Sequence, residues 1–192
     1  MIIDISSYNG KIDFQEMYNK ESIERIIMRS TTKNNKLDTR LIQNVNGAIV
    51  AGIRNIDLYK FSYARNYGDA AHECTVLLSR LRAAGIINFF DTLWLDLEDF
   101  DGRSYTTAEC SQVIAAYKNV LDAAAIPLGI YCNYNYAKNI LPDWASVLPL
   151  WLARWAKQTG DVSPFNVVYW QYTNAGKCSG IVGEVDISKA VY

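Results

Sequence analysis

The chain has 192 residues, half of them hydrophobic, and a formal net charge of −1. That is the size of one domain with ample material for a core. Its Lys and Arg form neither a basic stripe nor a basic amphipathic helix, which excludes nucleic acid and membrane surfaces as expected partners. Met1-Ile2-Ile3-Asp4 enters strand-like sequence directly. The opening lacks a charged n-region followed by an apolar h-region, so no secretory signal is expected, and no apolar run is long enough to span a bilayer as a helix.

Short apolar strands alternate with amphipathic helices. Residues 2–5 read as a strand, 13–21 as a helix and 25–29 as a second strand. Asp38 is placed to cap a helix in which Leu41, Ile42, Val45, Ala48 and Ile49 follow helical spacing, with Gly52 closing it. A strand over 56–62 is followed by a helix over 67–84, with Ala70, Ala71, Cys74, Leu77, Leu78 and Leu81 on one stripe. Leu93–Leu97 is a fourth strand. Thr106 and Glu109 make a capping box for a helix running to about Ala124. Strands at 128–131, 150–153, 167–172 and 185–187 follow, with one short helix over 134–141 and little room for others after the sixth strand.

Such alternation argues for a parallel sheet, and about eight strands suffice to close a barrel. A full barrel of this type takes about 250 residues. The expected fold is therefore a single α/β, TIM-like barrel over residues 1–192, flattened and incomplete, with about five helices and the missing ones near the C-terminus. An open doubly wound sheet would need a Gly-rich phosphate loop after the first strand, and Ser6-Ser7-Tyr8-Asn9-Gly10 is not one.

Cys74, Cys110, Cys132 and Cys178 form no CxxC pair and are expected to be buried apolar residues. His72 is the lone histidine, sits in a helical stretch, and is expected on a helix surface rather than in a Ser–His or Cys–His site.

The chemistry concentrates in Leu93-Trp94-Leu95-Asp96-Leu97-Glu98. Side chains alternate along a strand, so Asp96 and Glu98 share a face with Cα atoms about 6–7 Å apart, and Leu95 and Leu97 share the other. The outer face of a parallel barrel packs on helices, so the acids point inward at the C-terminal end of the strand. Two carboxylates this close cannot both ionise cheaply, and one keeps its proton. Glycosidic cleavage uses such a pair, one acid to protonate the leaving oxygen and one anion to stabilise the positive ring. Asp4 ends the first strand and Asp186 sits in the last, and these strands are neighbours in a closed barrel. Three strands each delivering an inward acid is a costly arrangement for a core without function. Many of the 13 Tyr, 5 Trp and 6 Phe fall at strand ends. Tyr59, Tyr131 and Tyr172 are expected in the cleft, where rings with a polar tip suit sugars.

These residues resemble glycoside hydrolase family 25, the muramidases, over nearly the whole chain. The likeness lies in Asp4-Ile5-Ser6-Ser7-Tyr8-Asn9-Gly10, Tyr59-Lys60-Phe61-Ser62-Tyr63-Ala64, Asp96-Leu97-Glu98, Leu150-Trp151-Leu152-Ala153, Trp170-Gln171-Tyr172-Thr173 and Gly183-Glu184-Val185-Asp186-Ile187, in that order. The resemblance implies cleavage of the β-1,4 bond after N-acetylmuramic acid, with Glu98 as proton donor and Asp96, Asp4 and Asp186 shaping charge and orienting substrate. It implies groove positions for Arg29, Asp38, Tyr59, Tyr131 and Gln171, and retention through the substrate's own acetamido group or through Asp96. Trp155 stands where many members have Tyr.

A chitinase-like pattern would place Asp91, Asp96 and Glu98 but requires an Asp where Trp94 stands. A glucosaminidase would cut the alternate bond, and a silent carbohydrate-binding barrel would have no need of the acid pair. No cofactor or metal is expected. The expected partner is the glycan strand of peptidoglycan, met at the bacterial cell wall by a monomer that is released as phage endolysins are or is trimmed from a secreted protein.

Overall fold

The computed structural model describes residues 1–191. Its eight strands, β1 (Ile2–Ile5), β2 (Arg25–Arg29), β3 (Ile56–Phe61), β4 (Leu93–Asp96), β5 (Leu128–Asn133), β6 (Pro149–Ala153), β7 (Asn166–Gly176) and β8 (Val185–Ala190), close into a barrel in sequence order. Five helices, α1 (Phe14–Lys20), α2 (Leu41–Ala51), α3 (Tyr67–Ala83), α4 (Thr107–Ala123) and α5 (Tyr134–Asn139), all precede β6. Among the described residues, no helix is long and apolar enough to cross a membrane.

The sheet is not wholly parallel. Strands β1 to β7 are parallel, but β8 runs antiparallel to both β7 and β1. A parallel return needs a long crossover, and only residues 177–184 separate β7 from β8. A hairpin therefore closes the barrel, and β7 and β8 extend beyond their expected bounds.

Strand alternation divides the apolar residues into two cores. Outward residues such as Ile3, Ile26, Leu58, Leu95 and Ile130 pack beneath the helices with Leu77, Val113 and Tyr117. Inward residues Ile2, Ile27, Trp94, Tyr131, Trp151 and Ala153 form a separate small core inside the barrel. Trp94 and Trp151 meet edge to face at 5.9 Å. Their indole N–H groups donate to Asp57 Oδ2 at 2.9 Å and Ser188 Oγ at 3.0 Å. The Trp94 ring lies against β5 at Gly129, where a Cβ would sit 2.4 Å from Trp94 Cε3. The two indoles thus pack the barrel interior below its C-terminal mouth.

Two helix details depart from the sequence pattern. Asp38 does not cap α2, whose N-cap is Arg40 with no side-chain bond. The Asp38 carboxylate is taken instead by Arg29, by the Arg40 N–H and by the Ser7 N–H. The outer barrel face is also not purely apolar, because Lys60 is buried there against Glu73 of α3. The four cysteines are buried and unpaired, and His72 is exposed on α3.

Candidate active site

The mouth of the barrel holds a cavity of about 460 Å³ whose wall includes Asp4, Asp96, Glu98 and Asp186. The four acids reach the mouth from three strands and one strand extension. The β1–β8 register sets Asp4 beside Asp186. Asp96 is the last residue of β4, level with Phe61 on β3 and Tyr131 on β5. The Leu97 N–H donates to the Tyr131 carbonyl at 2.9 Å, which carries the strand alternation on far enough to turn Glu98 to the same side.

Among the described residues, no lysine, arginine or histidine pairs with any of these four carboxylates. Burial drives all four above the usual carboxylate range. Asp96 is 5% exposed and stands well above it, through burial, then the charges of Glu98 and Asp4. Its Oδ1 is buried with no hydrogen-bond partner. Asp4 also stands well above, through burial and its neighbour Asp186, and Gln171 pulls it partly back. Glu98 is raised by burial, with the Tyr131 hydroxyl opposing, and Asp186 is raised by burial, with its bond to Asp4 opposing. Burial and mutual repulsion bias the cluster as a whole toward its protonated forms. The bias toward the protonated form extends to the aspartates as well as Glu98.

A hydrogen-bonded chain fixes part of this array. The Tyr131 hydroxyl donates to Gln171 Oε1 at 3.1 Å, and Gln171 Nε2 donates to Asp4 Oδ2 at 2.9 Å. Gln171 is buried and stands behind the cavity wall. Tyr59, Tyr131 and Arg29 line the cavity itself. Asp38 does not line it, being buried behind Arg29, whose Nη2 lies 2.6 Å from Asp38 Oδ2.

Tyr172 points elsewhere. Alternation along β7 turns Gln171 inward and Tyr172 outward, where it meets Trp170 at a ring distance of 6.0 Å. The sequence reading missed Tyr8 and Lys33, which sit in loops without periodicity, and Trp151 and Phe61, whose inward direction follows from strand register.

Two further cavities adjoin the first. One of about 270 Å³ shares Asp4, Tyr8, Arg29, Tyr59 and Asp186 with it. The other, about 600 Å³ and bordered by Trp155 and Tyr134, shares Glu98 and Tyr131. Together they form a groove across the mouth, with Glu98 at a junction between two lobes.

The profile of the family described as Glycosyl hydrolases family 25 matches residues 3–181. A probable GH family 25 lysozyme of Dictyostelium discoideum is 27% identical over 172 residues, covering 85% of this chain and 77% of that protein. The autolytic lysozyme of Clostridium acetobutylicum is 24% identical over 97% of this chain, which spans only 54% of that protein. Among solved structures, the modular autolysin of Streptococcus pneumoniae superposes with a TM-score of 0.87 at 23% identity, covering 97% of this chain and 45% of that one. The bacterial lysozyme of Streptomyces coelicolor gives 0.80 at 22% identity, covering 98% and 90%. At such identities the structural matches establish the barrel alone, and the chain spans less than half of the pneumococcal protein. Membership rests on the profile, which runs through all but the last strand of the barrel: the chain belongs to glycosyl hydrolases family 25.

Proposed function

We propose that this barrel is an N-acetylmuramidase that cleaves the β-1,4 bond between N-acetylmuramic acid and N-acetylglucosamine in peptidoglycan. The observation that carries the reading is the set of four carboxylates around one sugar-sized cavity, none of them held in a salt bridge among the described residues. Glu98 acts as the acid, because it is the least enclosed of the β4 pair and stands where the two lobes of the groove meet. A glycosidic oxygen lying across that junction would receive its proton.

Asp96 acts on the sugar rather than on the leaving group. Its unpaired Oδ1 suits an amide N–H, and the substrate's acetamido group supplies one. Accepting that bond favours the charged form of Asp96 and leaves the shared proton on Glu98. The oriented acetamido oxygen then attacks the anomeric carbon, the C–O bond to the leaving sugar breaks, and Glu98 transfers its proton to the departing oxygen. Water, deprotonated by the resulting Glu98 carboxylate, opens the cyclic intermediate with net retention. Asp4 and Asp186 share a proton and add negative potential beneath the positive ring. The site of action is the bacterial cell wall.

The test is the chemistry of the fragments. Purified peptidoglycan digested with this protein should release fragments whose new reducing ends are muramic acid, read by borohydride reduction and mass spectrometry. New glucosamine ends would replace the reading with a glucosaminidase, and no release of sugar fragments would remove it.

A further inference from the structure

The groove carries an aromatic platform outside the acid cluster. Tyr8 is 88% exposed although it borders two of the three cavities. It stands on the short 3-10 turn Ser7–Asn9, which is locked at both ends. The Ser6 hydroxyl accepts the Tyr8 N–H at 3.2 Å, and the Asn9 side chain accepts the Ser6 N–H at 2.8 Å. The turn is tied to β2 as well, since Asp38 Oδ2 accepts the Ser7 N–H at 3.1 Å and Arg29 Nη2 donates to Ser7 Oγ at 2.8 Å. The Arg29 guanidinium, held by Asp38, lies 4.7 Å from the centre of the Tyr8 ring. One ring face is thus supported by a cation, and most of the side chain is left to solvent beside Asp4 and Asp186.

An unsupported surface tyrosine would sample many rotamers. This one stands on a capped turn and rests against a guanidinium, so less entropy is lost when something stacks on its free face. Resting on the muramidase reading above, we infer that Tyr8 is a stacking platform for a pyranose ring of the glycan strand. The sugar it takes is bound on the Asp4–Asp186 side of the cavity, away from the Glu98 junction with the Trp155 lobe. Arg29 and Asp38 are then positioning residues that hold the platform, which accounts for an aspartate that never reaches the cavity wall.

Steady-state kinetics on soluble, uncrosslinked glycan strands test this. Tyr8→Ala should raise KM roughly tenfold, the scale of one aromatic contact, with kcat changed less than twofold. Tyr8→Trp should restore KM, because any flat ring serves, and Tyr8→Phe should stay close to wild type. An unchanged KM in Tyr8→Ala, or a fall in kcat at constant KM, would overturn the platform. So would a Tyr8→Trp variant as poor as alanine. Failure of the underlying reading looks different, since the wild-type protein would then release no muramic ends from the same strands.

Discussion

Two of the sites that bury acids in this molecule are built in opposite ways. Outside the barrel, Glu73 of α3 is 5% exposed and fully matched. Lys60 Nζ donates to it at 2.8 Å, the Ser62 hydroxyl at 2.7 Å, the Tyr117 hydroxyl at 2.8 Å and the Tyr63 N–H at 3.2 Å. At the mouth, Asp4, Asp96, Glu98 and Asp186 crowd one another, and the nearest arginine on the cavity wall, Arg29, is committed to Asp38. A buried charge costs several kcal/mol unless it is paired. The matched acid joins helix to strand, and the unmatched ones store that cost in a groove where a sugar can approach. The same residue type serves cohesion in one place and chemistry in the other, and its partners distinguish the two.

The contrast can be broken by substitutions at each of the two sites. The largest effect is expected for Glu98→Gln, which should lower the rate of peptidoglycan lysis by about 10²–10⁴-fold, the range of a lost general acid. Its unfolding temperature should not fall. Turbidity clearance and a thermal melt on the same sample check both halves. Glu73→Ala should do the reverse, because it strands the buried Lys60 ammonium. A loss of about 3–5 kcal/mol is expected, read from urea unfolding, while whatever remains folded keeps its kcat.

The pH dependence sharpens the contrast. The four mouth carboxylates are raised in the folded protein, so the native state binds more protons than the unfolded chain at mildly acid pH. Stability contributed by those protons is present below the unfolded carboxylate range and is lost as pH rises toward the folded values. Melting temperature should therefore fall as pH rises from the ordinary carboxylate range toward neutrality, whereas a protein dominated by paired acids gains or holds stability over that range. A melt series in matched low-salt buffers reads the slope. The smallest effect is expected for Tyr172→Ala. Its ring packs against Trp170 and does not line the three cavities of the groove, so kcat/KM on glycan strands should stay within about twofold of wild type.

Much of this was legible in the sequence, for identifiable reasons. Strand alternation is strict, so the inward direction of Asp4, Asp96 and Asp186 followed from the placement of β1, β4 and β8. Alternation also showed where Tyr172 fails, since it is one residue from the inward Gln171. The orientation of β8 was not legible, because only a closed pairing scheme reveals that a hairpin ends the barrel. Lys60 could not be recognised as buried from an apolar-face rule, since its partner Glu73 lies 13 residues away on a helix. Tyr8 sits in a turn whose hold on Arg29 and Asp38 joins segments distant in sequence. The cap expected at Asp38 was lost to that same connection.

Asp96→Asn gives the most direct test of the central claim, with lysis rate and thermal unfolding measured together at neutral pH. The substitution keeps the shape and removes an acid that has an unpaired buried oxygen. The predicted result is a rate at least roughly tenfold lower with a melting temperature equal to or above that of the wild-type protein. A variant that melts several degrees lower while clearing peptidoglycan at the wild-type rate would show that Asp96 serves the fold and not the reaction.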